Sequence, residues 1–86
     1  MDKAKHVGYI VMTVEVTNGI PDINTTTFSI NERKDAYEYY NNYIQYYIDY
    51  GALIKENESV CLSNIQSRTL ALENRVVTVY IEKLYV

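Results

Sequence analysis

The side chains able to do chemistry are few and stand far apart. His6 is the one histidine and Cys61 the one cysteine. A thiolate nucleophile needs an activating base, and only His6 could serve. That residue lies in a charged opening stretch, MDKAKH, where a solvated imidazole is expected. Neither residue has a second His or Cys at metal-ligand spacing. The acidic pairs Glu56/Glu58 and Asp35/Glu38 read as solvated decoration. Glu15 and Glu82 are both expected on the outer face of a sheet, with nothing apolar and concave implied around them. Three scattered glycines are too few to cradle a phosphate. No catalysis, no metal and no cofactor is expected.

What remains is tyrosine. The segment DAYEYYNNYIQYYIDYG, residues 35–51, carries seven of the chain's ten tyrosines. Projected at about 100° per residue, Ala36, Tyr40, Tyr43, Ile44, Tyr47 and Gly51 fall on one stripe, suited to a helix lying on a sheet. Lys34, Glu38, Asn41, Asn42, Gln45 and Asp49 form the opposite, solvated face. The other apolar residues overflow the stripe: Tyr37 and Ile48 on one edge, Tyr39, Tyr46 and Tyr50 on the other. Half-buried margins with hydroxyls in water explain part of this excess. A contact surface explains the rest, because tyrosine supplies large contact area at low entropic cost and is enriched at interface hot spots. Base stacking would need a basic groove, and none is legible.

The elements that must hold this helix are strands. VGYIVMTVEVT, residues 7–17, alternates, with Ile10, Met12, Val14 and Val16 on one face and Tyr9, Val11, Thr13 and Glu15 on the other. Asn18-Gly19 and Pro21-Asp22 are turn formers, so a longish loop is expected before a second strand, TTTFSI, at 25–30. Asn31 reads as the N-cap of a helix over about 32–50, and Gly51 as its left-handed terminator. After the polar connector KENES come VCLS (60–63), an interruption NIQSR, and TLAL (69–72). A tight turn at Glu73-Asn74 leads into RVVTVYIEKLY, 75–85. That turn sets Leu72 opposite Arg75 and Leu70 opposite Val77, placing Leu70 and Leu72 with Val77, Val79 and Ile81 on the buried face. The fold class is α+β: a four-stranded antiparallel sheet with one helix on one face, ββαββ, in a single domain over 1–86. Tyr9, Val11 and Thr13 are expected with Val76, Thr78 and Tyr80 on the uncovered face.

Length and charge bound the rest. Eighty-six residues make one modest core, and a formal charge of −3 is too mild to signal a nucleic-acid binder or mimic. One cysteine excludes an internal disulfide framework and fits a reducing, cytoplasmic compartment. No stretch reaches the roughly 20 apolar residues of a membrane span. The triplets Asn24-Thr25-Thr26 and Asn57-Glu58-Ser59 read as loop chemistry, not glycosylation sites.

INERKDAYEYYNNYI resembles the helix entry of small orphan proteins of bacteriophages and other mobile elements, which are β-hairpin–helix–β-hairpin chains. Ile30, Asn31, Ala36 and Tyr40 match that pattern, and VYIEKLYV looks like its closing strand. The resemblance carries over no functional residue. It implies a non-catalytic protein that inhibits a host protein, such as a defence or CRISPR component, by stoichiometric binding. A small-molecule or nucleotide binder with stacked tyrosines and a purely structural homo-oligomer are the alternatives. The partner-binding residues expected are Tyr39, Tyr46 and Tyr50 on the helix and Tyr9, Val11 and Tyr80 on the sheet, with a host protein and a second copy of the chain, as a homodimer, for partners.

Overall fold

The computed structural model describes residues 4–86; the first three residues of the charged opening segment lie outside them. Strand β1 runs His6–Thr17 and β2 runs Ile20–Ser29. Asn18 (φ 52°) and Gly19 (φ 79°) join them. Both central residues have positive φ, the geometry of the two-residue hairpin turn that matches strand twist and that Asn-Gly favours. The expected long loop is therefore absent, and residues 20–24 are strand. Pro21 is tolerated there because β2 is an edge strand and Pro21 lies opposite Val16, one step past the closing pair Thr17–Ile20. Asn24 is likewise a strand residue, not a loop one.

A 3₁₀ turn at Ile30–Glu32 leads into helix α1, Arg33–Asp49. The entry is closed by Ser29, whose backbone N–H donates to the Glu32 carboxylate at 2.9 Å, half of a capping box two residues earlier than the expected Asn31 cap. At the exit, Gly51 (φ 95°) donates its N–H to the Ile48 carbonyl at 2.9 Å, and Ala52 donates to Tyr47 at 3.0 Å. These two bonds form the Schellman pattern, which seats Ala52 in the core.

The chain then runs up and down the far side of the sheet. Two short strands, β3 (Leu53–Ile54) and β4 (Val60–Cys61), pair with the same strand, β5 (Ile65–Ala71). Strand β6, Arg75–Tyr85, follows β5. The class is α+β as expected, but the antiparallel sheet has six strands, not four, in the order β2-β1-β6-β5-β3 with β4 also on β5. Most of the NIQSR interruption is the start of β5. Its alternate hydroxyls serve the connector between β3 and β4: Ser67 accepts from the Val60 N–H at 3.1 Å, and Thr69 donates to the Glu58 carbonyl at 3.2 Å. Leu72 donates to the Arg75 carbonyl at 2.9 Å and Leu70 pairs with Val77, the register expected.

The decisive pairing is β1 with β6, which sets Val11 opposite Ile81, Thr13 opposite Val79 and Glu15 opposite Val77. Paired residues share a face, so Tyr9, Val11, Thr13 and Glu15 lie under α1 with the buried residues of β6. The core is Tyr9, Val11, Leu70, Val77, Val79 and Ile81 from the sheet and Ala36, Tyr40, Ile44 and Tyr47 from the helix, with Ala52. Tyr43 is only partly buried, and Gly51 is exposed.

Near the start of β1 the register with β6 shifts between His6 and Gly8, and Gly8 lies so close to β2 that a Cβ there would collide with the Phe28 carbonyl oxygen. The obstacle is backbone and cannot rotate away. Gly8→Ala is expected to destabilise the fold by about 1–3 kcal/mol, read as a lower urea midpoint. An unchanged midpoint would contradict the close approach of β1 and β2.

Candidate protein-interaction surfaces

One helix covers one face. On the other, β1 presents Ile10, Met12, Val14 and Val16, β6 presents Val76, Thr78, Tyr80 and Glu82, and β2 presents Ile23, Thr25 and Thr27. The part over β5 is roofed by the connector residues 55–60, which leaves Ser67 and Thr69 buried. The part over β2, β1 and β6 is open. Among the outward positions just named only Glu82 carries a charge, in a chain that is 22% charged overall. A sheet with one solvated face normally reads polar there; this one carries isoleucine, methionine and valine.

The sequence-predicted site residues divide accordingly. Tyr80 lies on the open face, as expected. Tyr9 and Val11 do not: they are 3% and 1% exposed, beneath the helix. Both faces of β1 are apolar, so alternation alone does not say which one is inside. Glu15 made its own face look solvated, yet Glu15 is held inside by Arg75, whose guanidinium donates to its carboxylate at 2.7 Å. The same guanidinium lies 5.8 Å from the ring centroid of Tyr47. Glu15 and Glu82 consequently point to opposite faces and are not neighbours. Ile10, Met12 and Val14 take the place on the open face expected of Tyr9, Val11 and Thr13.

The second surface is the helix flank that faces β2. Tyr46 and Tyr50 are 53% and 63% exposed, and Tyr39 is half-buried. Aromatic rings run continuously along this side, from Phe28 to Tyr39 (5.6 Å between centroids), Tyr43 (5.2 Å) and Tyr47 (6.4 Å), with Tyr46 against both Tyr47 (5.3 Å) and Tyr50 (4.8 Å). Thr26 donates its hydroxyl to the Tyr39 oxygen at 3.3 Å, tying the row to β2. Tyr39, Asn42, Tyr43, Tyr46 and Tyr47 line an open hollow of about 500 Å³. Two of the hydroxyls hold their protons more tightly: hydrogen bonding with Tyr39 pushes the Tyr43 phenol up, and hydrogen bonding with Tyr50 does the same for Tyr46. The flank is therefore neutral and apolar with a hydroxyl fringe, suited to burial against protein.

Other concavities add little chemistry. A groove of about 580 Å³ separates α1 from β4 and β5, lined by Tyr40, Ile44, Cys61 and Arg68 among others. Cys61 is exposed at its rim. His6 is not a solvated tail residue; its ring packs against Tyr9 and Tyr85 at 4.8 and 5.4 Å, with Nε2 2.9 Å from the Gly8 carbonyl. Among the described residues, no group of three or more His, Cys, Asp or Glu side chains is placed to hold a metal ion, and no helix is long and apolar enough to cross a membrane. Compared with family models, curated proteins and solved structures, the chain has no match.

The buried stripe makes its own pH prediction. Burial pushes the Tyr40 and Tyr47 phenols above their ordinary value of 10.0, with Glu15 adding to the shift at Tyr47. Above about pH 10 the unfolded chain releases protons that the native state retains, so the stability held below that pH is lost as pH rises through the folded values. The urea midpoint is expected to fall above about pH 10, and less steeply in Tyr40→Phe/Tyr47→Phe. An equally steep fall in the double variant would contradict buried, protonated phenols.

Proposed function

We propose that this protein is a non-catalytic binding module that acts by stoichiometric contact with another protein through the open face of its sheet. The observation that carries this reading is the charge-poor apolar strip of Ile10, Met12, Val14, Val76 and Tyr80, half-buried by its neighbours in the sheet and covered by no other element among the described residues. Interface cores are depleted of charge and enriched in aromatic residues and methionine, and contiguous exposed apolar surface on a small domain marks an interaction site. The resemblance to small bacteriophage and mobile-element proteins supports a host protein as the partner, met in the host cytoplasm. Inhibition of a defence factor, as by an anti-CRISPR protein, is the activity it suggests.

Such a module needs no acid, base or metal. Its strip lies on β1 and β6, both interior strands of the sheet, so the contact surface is rigid before binding and little ordering cost falls on association. Met12 adds an adaptable side chain at the middle of the strip.

Capture from host lysate on the immobilised chain, followed by identification of a stoichiometric partner, tests this directly. Met12→Glu and Tyr80→Glu put a charge on the strip without touching the core. Each is expected to weaken capture at least tenfold with the far-UV circular dichroism unchanged. Capture that survives both substitutions would remove the open face from the account.

A further inference from the structure

We infer that the free edge of β2 pairs with β2 of a second copy of this chain, antiparallel and centred on Thr25, so that two sheets join into one. This goes beyond the binding reading above and does not depend on it, because the edge and the open face are different surfaces.

The argument starts from which backbone groups β2 leaves free. The two-residue turn closes on the pair Thr17–Ile20, and hydrogen-bonded and non-hydrogen-bonded pairs alternate from there along the ladder. Ile20, Asp22, Asn24, Thr26 and Phe28 thus bond β1, while Pro21, Ile23, Thr25, Thr27 and Ser29 turn their N–H and C=O groups outward. Two of those five have no donor to offer. Pro21 has no N–H, and the Ser29 N–H is taken by Glu32. The open donors are Ile23, Thr25 and Thr27, bracketed at both ends.

A two-fold axis at Thr25 matches this bracket to itself. Ile23 then faces Thr27 of the second copy, Thr25 faces Thr25, and Pro21 faces Ser29. The two positions without a donor meet each other, and every free donor between them finds a carbonyl. Side chains agree with the register: the outer face pairs Ile23 with Thr27 and Thr25 with Thr25, β-branched partners of the kind that stabilise cross-strand contacts. Asp22, the one charged residue of β2, falls opposite Phe28, and the two Asp22 carboxylates stand roughly 20 Å apart, beyond the Debye length at physiological salt. Beyond Pro21 and Asp22 at its turn-proximal end, the edge carries no lysine, arginine or bulge to discourage pairing, so the stretch from Ile23 to Thr27 lacks the usual protections of a strand that stays solitary.

The pairing also gives the tyrosine flank an occupant. The helix lies over β1 and β6, so two joined sheets at about 4.8 Å per strand set the helix axes on the order of 20 Å apart. After the helices' own width, a gap of about 10 Å remains above the β2–β2 junction. Tyr39, tied to Thr26, and Tyr43 and Tyr46 project into that gap from both sides. The excess of phenols on this flank over the other, where Tyr37 packs against Tyr9, follows from a second flank facing it.

Residue-resolved amide hydrogen exchange on the full chain at low and high concentration, with sedimentation for mass, tests the register. Ile23, Thr25 and Thr27 amides are expected to become protected at least tenfold as the dimer forms, while Asp22, Asn24 and Thr26 amides are protected throughout. Thr25→Pro, which removes an outward donor and leaves the bonds to β1, is expected to raise the dimer dissociation constant at least tenfold. If that variant does not fold, exchange on the unaltered chain still decides. A monomer at millimolar concentration with those three amides unprotected overturns the inference, as does a dimer that leaves them unprotected. Protection that appears only when an extended peptide of another protein is added also overturns it and assigns the edge to that peptide.

Discussion

A single helix must do most of the covering. With 17 residues, α1 is about 25 Å long and about 10 Å wide, while five strand positions side by side span about 24 Å. The helix can bury the middle of one face only, and it does so over Tyr9, Val11, Val77, Val79 and Ile81. The opposite face over β2, β1 and β6 and the β2 edge are left bare by this arithmetic, not by any local defect. The open face and the free edge both follow from that shortage of cover.

Much of the architecture is legible in the sequence because local signals enforce it. The Leu70–Val77 register follows from a two-residue turn, the helix stripe from its period, and the helix end from Gly51. What is not legible is non-local. Nothing within β1 says that Val11 will face Ile81, because both of its phases are apolar and the ion pair to Arg75, sixty residues away, lets Glu15 sit inside. The Asn18-Gly19 turn was legible in principle: both residues tolerate positive φ, and Pro21 is compatible with an edge strand. The two-residue strands β3 and β4 have no periodicity of their own and exist because β5 offers an edge to them.

The candidate sites divide along the same line. Tyr39 and Tyr46 lie on one helix with Tyr50 at its C-cap, and their common flank follows from helical geometry alone; the structure adds Phe28 and Tyr43 to the row. Tyr9, Val11 and Tyr80 come from two strands whose pairing no local signal specifies, and the structure divides them, with Tyr80 outside and the other two in the core. Tyrosine thus serves two purposes here. Tyr40 and Tyr47 fill the core beneath the helix, and the flank offers an apolar surface with a fringe of hydroxyls.

The central claim is that β1 turns Val11 inward and Met12 outward, leaving an apolar face open to a partner. Solvent paramagnetic relaxation of methyl-labelled protein, with a soluble gadolinium chelate, reads this most directly. Methyl signals of Ile10, Met12 and Val14 should broaden strongly, while those of Val11, Val77 and Val79 stay sharp. Broad Val11 with protected Ile10 and Met12 would contradict the account, because the open face would then be the other one.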